Sequence, residues 1–181
     1  GYFPPEQEQA EAWQSKHRDN GYDFEMVACD VSDYEASEKM LHDIENTIGA
    51  VDILVNCAGI TRDKTLRRMT PEQWDSVLRT NLDSAFNVTR QVVEGMSESG
   101  FGRIVNISSV NGQKGQYGQA NYSAAKAGLH GFTKAIAQEL ATKGVTVNSV
   151  SPGYVKTEMT DAIPEEIRES IIQQVPMGRM A

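Results

Sequence analysis

The chain is poor in the residues that build metal sites and disulfide frameworks. Its 181 residues include only two cysteines and three histidines. The histidines lie far apart and have no partner at metal-ligand spacing, so we assign no metal site. Cys29 and Cys57 each end an apolar run. We therefore expect two buried, reduced thiols of a cytoplasmic protein rather than a disulfide.

Positive charge and long apolar runs are also scarce. The 17 Lys and Arg residues are outnumbered by 25 Asp and Glu residues, which gives a net charge of −8. Nucleic acid is not expected as a partner, because a phosphate backbone requires a basic face. No apolar run approaches the ~20 residues of a membrane span, so we expect no membrane association. A hydrophobic content of 39% and a charged content of 23% instead fit one globular domain over residues 1–181.

Four short apolar runs predict buried strands, at residues 24–29, 53–56, 103–108 and 145–150. They lack strict alternation, as is typical of parallel strands covered on both faces. Helices are predicted between and around them. One follows a capping box at 32–35 and ends at Gly49, and another follows a start signal at 70–73, with Pro71 as its first residue, and runs to residue 96. The others are at residues 6–17, 122–142 and 164–175. This alternation predicts an α/β fold with a doubly wound parallel sheet.

Polar or small residues follow each predicted strand. They are Asp30, the turn at residues 56–59, Ser109 and the turn at residues 151–153. The carboxyl ends of parallel strands meet at one edge of the sheet, where such sheets bind ligands. If these residues had only structural roles, their position after four strands at the same edge of the sheet would be a coincidence. We therefore predict a ligand site at that edge.

Ser109, Tyr122 and Lys126 form the most informative pattern in the sequence. Ser109 closes the apolar run that begins at residue 103. Lys126 follows Tyr122 by four residues, which places both on one face of a helix. A free tyrosine keeps its proton at neutral pH because its pKa is near ~10, and a neighbouring ammonium favours the phenolate. The pair can therefore exchange a proton with the oxygen of a carbonyl that receives a hydride, while Ser109 holds that oxygen by a hydrogen bond.

A structural alternative exists for each member of this pattern. Tyr122 could be an amphipathic core residue, Lys126 a solvated surface charge, and the tyrosine–lysine spacing occurs often by chance. Of the six tyrosines, however, only Tyr122 has a lysine four residues on. Asn81 lies inside a predicted helix, where asparagine is unfavourable. We expect it to be buried and bound to a water or a backbone carbonyl near Lys126, or else to be exposed.

Taken together, these motifs resemble the short-chain dehydrogenase/reductase family. The matching residues occur in the family's order over nearly the whole chain, at 56–59, Asn81, Ser109, Tyr122, Lys126 and 152–153. Cys57 departs from the family's usual asparagine, which we expect to be tolerated because backbone shape matters most there. The resemblance implies a Rossmann-like oxidoreductase that uses NADPH rather than NADH and forms a homotetramer.

The resemblance also implies a role for each site residue. It makes Asn81, Ser109, Tyr122 and Lys126 the catalytic tetrad. Asp30 and Val31 would contact the adenine, residues 56–59 would form a wall beside the cofactor, and residues 152–155 would hold its nicotinamide end. The full set of implied cofactor contacts is Asp30, Val31, Asn56, Cys57, Ala58, Gly59, Ile60, Tyr122, Lys126, Pro152, Gly153, Tyr154, Val155 and Thr157. The implied substrate contacts are Asp63, Ser109, Gln116, Tyr117, Gly118, Gln119, Tyr122 and Tyr154.

Within the family, the chain resembles the acetoacetyl-CoA reductases of polyhydroxybutyrate synthesis. The segments that carry this resemblance are 59–63, 110–119, 127–133 and 151–154. It implies NADPH-dependent reduction of acetoacetyl-CoA to (R)-3-hydroxybutanoyl-CoA. Two alternatives stay open. A 3-oxoacyl-acyl-carrier-protein reductase would share the tetrad, and a non-catalytic dinucleotide-binding scaffold would share the fold but would be free to lose Ser109, Tyr122 and Lys126.

The glycine-rich loop with which the family receives the cofactor phosphates has no counterpart in the sequence. By comparison with the family, we expect two strands to precede Gly1 and a helix and a strand to follow Ala181. The chain would then be a fragment truncated at both ends, and the segment that selects NADPH over NADH would be among the missing parts.

We predict that the 181-residue chain expressed alone neither folds stably nor turns over. The predicted strands at 24–29 and 53–56 would lack a shared neighbour, which would leave backbone edges unpaired. Thermal unfolding and NADPH oxidation check this prediction. A cooperative transition together with measurable oxidation would contradict it.

Overall fold

Three parallel strands form the sheet of this protein. The computed structural model describes residues 1–156, 165–173 and 175–180. The strands are β1 (Ile53–Asn56), β2 (Gly102–Ile107) and β3 (Val145–Val150), with β2 in the centre. Ile53 pairs with Arg103, and Gly102 pairs with Val145. The predicted α/β architecture with a parallel sheet is confirmed.

Helices precede, connect and follow these strands. They are α1 (Gln7–Arg18), α2 (Tyr34–Thr47), α3 (Pro71–Leu78), α4 (Ser84–Ser99), α5 (Val110–Lys114), α6 (Ala120–Leu140) and α7 (Glu165–Gln173). A π-helical turn at Arg79–Asp83 joins α3 to α4, and 3-10 turns lie at Pro4–Glu6, Leu66–Arg68 and Ala141–Lys143. Within the described ranges, none of the helices combines the length and the apolar character needed to cross a bilayer.

The strand predicted at residues 24–29 does not form. The segment makes one isolated parallel bridge, between Tyr2 and Ala28. The Tyr2 amide donates to the Val27 carbonyl at 3.0 Å, and the Cys29 amide donates to the Tyr2 carbonyl at 2.9 Å. A strand needs a ladder of such bonds to a neighbour. Among the described residues, Tyr2 is the only one that forms a β-bridge with this segment, so no ladder forms and the segment is not a strand.

The two predicted helix starts had different outcomes. At α3, the helix begins at Pro71 as predicted, and the start is a capping box, in which the Gln73 amide donates to the Thr70 hydroxyl and the Thr70 amide donates to the Gln73 side chain. At α2, the cap is Asp33 rather than Ser32, and its carboxylate accepts from the Ala36 amide at 2.8 Å. The prediction was wrong there because Asp30 binds both the amide and the hydroxyl of Ser32.

The core lies between one face of the sheet and helices α2, α4 and α6. Ile104 and Val147 on the sheet pack in the same buried cluster as Val92 and Met96 of α4. The opposite face carries exposed apolar side chains, including Ile53 at 62% exposure. Alternate residues of the strands therefore differ sharply in burial, because α2, α4 and α6 cover only one face of the sheet.

The two cysteines lie in different environments. Cys29 is buried, and desolvation raises the pKa of its thiol, with the hydroxyl of Ser37 opposing that shift. Cys57 is exposed at the end of β1, so the prediction that both thiols are buried was wrong for this residue. It follows the last residue of β1 and lies outside the packed face of the sheet.

Helix α5 packs unusually closely against α6. A Cβ on Gly112 would lie 2.7 Å from the backbone carbon of Lys126, which is shorter than real Cβ contacts allow. Glycine at this position therefore lets the two backbones approach. The contact fixes the chain that leaves β2 against the helix that carries Lys126.

Candidate active site

Tyr122 and Lys126 lie on the same face of α6, within its first two turns. The Lys126 ammonium is 5.7 Å from the centre of the Tyr122 ring. Tyr122 is half-buried, whereas Lys126 is only 4% exposed. The helical spacing of four residues brings the two groups together, as the sequence predicts, and the arrangement leaves the phenol partly accessible beside a cation that solvent barely reaches.

Lys126 is held at the carboxyl end of β2. Its Nζ donates to the Ile107 carbonyl at 2.7 Å, and its own backbone carbonyl accepts from the Ser108 hydroxyl at 2.7 Å. Burial lowers the pKa of the Lys126 ammonium, because desolvation disfavours the charged form. A Coulombic interaction with Cys57 opposes that shift. The position of this ammonium is therefore fixed by the strand end rather than by a carboxylate.

Ser109 stands at the point where β2 ends and α5 begins. It is the N-cap of α5, and its hydroxyl oxygen accepts from the Asn111 amide at 3.1 Å. The flanking Val110 amide donates to the Pro152 carbonyl at 3.0 Å, which ties the segment after β2 to the segment after β3. The hydroxyl proton of Ser109 remains available to donate to a ligand oxygen.

Asn81 lies in the π-helical turn and is 2% exposed. Its amide group donates to the Ile60 carbonyl at 2.9 Å and its carbonyl oxygen accepts from the Ile60 amide at 2.7 Å. The expectation of a buried asparagine bound to backbone is confirmed. Single π-helical turns inside α-helices are frequent at functional sites. Here the turn brings Asn81 against the loop that follows β1.

The turn after β1 runs beside Lys126. A Cβ on Gly59 would lie 3.5 Å from Lys126 Nζ and 3.6 Å from Asn81 Oδ1. Cys57, Ala58 and Gly59 are exposed. Asn56 instead points inward, and its amide group donates to Asn106 at 2.8 Å and to Thr89 at 3.0 Å. The turn thus offers small side chains and open backbone, whereas Asn56 anchors it to the core.

The predicted adenine contacts lie after the segment at 24–29. One carboxylate oxygen of Asp30 accepts from the amide of Ser32 at 3.0 Å and from its hydroxyl at 2.7 Å. The Val31 carbonyl accepts from Asn87 of α4 at 3.0 Å. Asp30 therefore forms a local turn, and its second oxygen is not used in these two bonds.

The predicted substrate contacts form two loops that are joined to each other. Gln119 donates to the Asp63 carboxylate at 2.8 Å and accepts from Asn111 at 3.0 Å. The Lys64 amide donates to the Gly118 carbonyl at 2.9 Å. Gln116 and Tyr117 do not share in these bonds and are exposed, Tyr117 by 87%.

The segment after β3 holds the last group of predicted contacts. Pro152 is joined to Val110, and Gly153 is exposed. The Lys114 ammonium lies 5.8 Å from the ring centre of Tyr154, so that ring faces α5. Val155 is partly exposed, at 38%. Thr157 lies outside the described residues.

Asn121 is a site residue that the sequence analysis missed. It is fully buried, directly before Tyr122 in the first turn of α6. Its amide group donates to the Arg62 carbonyl at 3.2 Å and to the Gln73 carbonyl at 3.0 Å, and its oxygen accepts from the Tyr122 amide at 2.8 Å. Asparagine at a helix start was the available signal. Its partners, 59 and 48 residues away, could not be read from the sequence.

Comparison with known proteins gives a consistent set of matches. The family model described as short chain dehydrogenase matches residues 3–168. A protein of Allochromatium vinosum named acetoacetyl-CoA reductase is 58% identical over 98% of this chain and 72% of its own length. A protein of the same name from Cupriavidus necator is 52% identical over 97% of this chain and 72% of its own length.

A differently named relative is also similar. The 3-oxoacyl-[acyl-carrier-protein] reductase of Vibrio cholerae is 49% identical over 85% of this chain and 63% of its own length. The chain therefore shares extensive sequence with reductases whose names specify two different carriers of the acyl group.

Replacing Asn121 by Ala should lower the free energy of unfolding by about 2–4 kcal/mol, because buried carbonyl and amide groups lose their partners. Asn121→Asp should retain the bond from the Tyr122 amide but lose both donated bonds. Denaturant unfolding of the full-length protein measures both effects.

Ser37→Ala is the matched control for Asn121. Ser37 is also fully buried, but its hydroxyl makes its shortest bond within α2, to the Asp33 carbonyl at 2.8 Å. We expect this control to cost about 1 kcal/mol and to leave kcat unchanged, since a typical hydrogen bond contributes about that much. If Asn121→Ala unfolded no more easily than Ser37→Ala, Asn121 would not join the two loops to α6.

Proposed function

This chain belongs to the short-chain dehydrogenase family, and we propose that it reduces acetoacetyl-CoA to (R)-3-hydroxybutanoyl-CoA. As a family member it is an oxidoreductase that uses a nicotinamide dinucleotide. The single observation that carries the proposal is the Lys126 ammonium, which lies 5.7 Å from the ring centre of Tyr122 and is bound to the last residue of β2, Ile107. The substrate is suggested by the names of relatives that are 58% and 52% identical.

The residues after β1 fit the nicotinamide and ribose end of the cofactor. Cys57, Ala58 and Gly59 are exposed and small, so a flat ligand can lie against their backbone. A group beside Gly59 would also be close to Lys126 Nζ, which lies 3.5 Å from the position of a Cβ there. When bound, the cofactor supplies a hydride for the carbonyl carbon of the substrate.

Tyr122 is the proposed proton donor. As the carbonyl becomes an alcohol, its oxygen takes the phenol proton and Tyr122 is left as a phenolate. The Lys126 ammonium stabilises that negative charge, because the interaction takes place where solvent is largely excluded. The hydrogen-bond partner of the Lys126 ammonium is the uncharged Ile107 carbonyl, and no carboxylate of the described residues forms an ion pair with it. The cation therefore remains free to respond to the phenolate.

Ser109 and Asn81 complete the proposed tetrad. Ser109 donates a hydrogen bond to the substrate oxygen, which stabilises the charge that develops there. Asn81 keeps the turn after β1 in place through its two bonds to Ile60. Asn81 thus acts on the shape of the cofactor wall, whereas Ser109, Tyr122 and Lys126 act on the reacting oxygen.

We assign the remaining contacts as the family resemblance implies. Asp30 and Val31 would border the adenine, and Pro152, Gly153, Tyr154, Val155 and Thr157 the nicotinamide end. The joined loops with Asp63 and residues 116–119 would border the acyl and pantetheine groups. NADPH as the cofactor, polyhydroxybutyrate synthesis as the pathway, and a cytoplasmic homotetramer are further parts of the proposal. Phe132 and Ile136 of α6, which are only half-buried, support pairing of helices between subunits.

Replacing Tyr122 by Phe in the full-length protein should lower kcat by about 10²–10⁴-fold, because the substrate oxygen loses its proton donor. Cofactor affinity should change little, since the ring remains. Steady-state kinetics and cofactor titration measure the two effects. Tyr34→Phe is the control, because Tyr34 lies on α2, where its ring stacks on Phe86. Retained turnover in Tyr122→Phe would contradict the proposed role.

A second candidate function is reduction of 3-oxoacyl groups on acyl-carrier protein, which the 49% identical Vibrio cholerae relative favours. Comparing kcat/KM of the wild-type protein for acetoacetyl-CoA and for an acetoacetyl-carrier-protein thioester distinguishes the two. We expect the CoA thioester to be preferred. Preference for the carrier-protein thioester would support the alternative, and no turnover of either would support a non-catalytic binding protein.

A further inference from the structure

Positive charge is concentrated in one short segment of this acidic chain. Residues 62–68 contain four cationic side chains and a single carboxylate, although the whole chain has a net charge of −8. We name the four cations, Arg62, Lys64, Arg67 and Arg68, the cationic rim. All four are exposed. A local cluster of positive charge on an otherwise acidic protein attracts negatively charged ligands.

Within residues 1–156, 165–173 and 175–180, no acidic side chain forms an ion pair with a cation of this rim. The ion pairs found among the described residues lie elsewhere, at α1, α2 and α7. Asp63, the one carboxylate within the segment, accepts a hydrogen bond from Gln119 instead. Arg62 donates to the carbonyl of Thr61, which leaves its charge uncompensated. Such cations are available to an anionic ligand without first breaking a salt bridge.

The rim borders the candidate active site. The Arg62 carbonyl accepts from Asn121, the residue before Tyr122. The Lys64 amide donates to Gly118, and Lys64 and Gln119 form an isolated bridge. The backbone of residues 62–64 therefore runs along the segment that leads into α6. Hydrogen bonds from the Asn121 side chain to the Arg62 carbonyl and from the Lys64 amide to the Gly118 carbonyl hold the rim backbone in a fixed relation to Tyr122, although the cationic side chains extend into solvent.

The second half of the rim lies on an anchored turn. Leu66–Arg68 form one 3-10 turn, which the Met69 amide closes by donating to the Thr65 carbonyl at 3.0 Å. Leu66 itself is 74% exposed, between the cations. An exposed apolar side chain among cations suits a ligand that combines phosphate groups with apolar or aromatic parts.

We propose that the cationic rim binds the phosphate groups of the CoA moiety of the substrate. This inference rests on the proposed function, which supplies the CoA thioester. CoA carries a diphosphate and a ribose phosphate near an adenine ring, and arginine forms paired hydrogen bonds with phosphate oxygens. With the thioester at Tyr122, the pantetheine arm would pass Asp63 and Gln119, and the phosphates would meet the rim.

The compactness of the rim favours CoA over a carrier protein. A surface that binds a carrier protein would have its cations spread over a wide area, whereas these four cations lie within seven consecutive residues. An exposed leucine in their midst also fits a small ligand with a nucleobase. The rim then makes the enzyme discriminate between acyl carriers, while Ser109, Tyr122 and Lys126 act on the acyl group that all the carriers share.

The test combines Arg67→Gln with Arg68→Gln in the full-length protein and uses three substrates. They are acetoacetyl-CoA, its 3′-dephospho analogue and the acetoacetyl thioester of N-acetylcysteamine, which has no phosphate. For acetoacetyl-CoA, kcat/KM should fall about 10-fold or more, chiefly through KM, because charge-assisted bonds to phosphate are lost. For the phosphate-free thioester it should stay within about twofold, since no rim contact is made. The dephospho analogue should lie between the two.

Lys16→Gln combined with Arg18→Gln is the matched control, because it removes two exposed cations from α1. It should leave all three kcat/KM values and the cofactor KM unchanged. Raising the salt concentration should raise the wild-type KM for acetoacetyl-CoA and affect the rim variant less, since screening weakens exposed charge interactions.

Each other outcome overturns the inference in a recognisable way. An equal loss for all three thioesters in the rim variant would mean that the rim acts through the shape of the site. A larger loss for an acetoacetyl-carrier-protein thioester than for acetoacetyl-CoA would assign the rim to a protein partner. If the wild-type protein reduced none of the thioesters, the proposed function itself would fail, before any variant is compared.

Discussion

The buried ammonium of Lys126 is the constraint on which the rest of the site depends. A cation that is 4% exposed is costly, and here no carboxylate offsets that cost within the described residues. The Ile107 carbonyl, Ser108 hydroxyl and Gly112 backbone hold the lysine and its helix turn against the end of β2. The cation is thereby available to the negative charge that the proposed mechanism places on Tyr122.

Buried asparagines connect this constraint to the rest of the fold. Asn106, in the central strand, accepts from Asn56 of β1 and donates to Thr133 of α6. Two buried asparagines bind the backbone of the loop after β1. Asn81 binds Ile60, and Asn121 binds Arg62. Fully bonded buried polar groups specify one arrangement of the elements that they join. The sheet edge, the loop after β1 and α6 are therefore fixed relative to one another by side-chain amides.

The sequence predicts those parts of the structure that follow from local periodicity. β1 and β3 begin and end at the predicted residues, and the four-residue spacing places Tyr122 and Lys126 on one helix face. The prediction of a strand at 24–29 was wrong because a strand needs a neighbouring strand to pair with. The prediction of Ser32 as the cap of α2 was wrong because Ser32 is hydrogen-bonded to Asp30. The partners of Asn121 are long-range and leave no local signal. The catalytic and binding roles remain predictions.

The pH dependence of kcat in the direction of alcohol oxidation tests the central claim most directly. In this direction Tyr122 takes a proton from the alcohol beside the Lys126 ammonium, so an alkaline fall in kcat reports loss of the Lys126 charge. Burial lowers the pKa of Lys126, so its ammonium should be lost on the acidic side of the ordinary lysine value of about 10.4. The account predicts that kcat falls at a pH below about 10.4. A kcat that does not fall up to that pH would contradict the role of the ammonium.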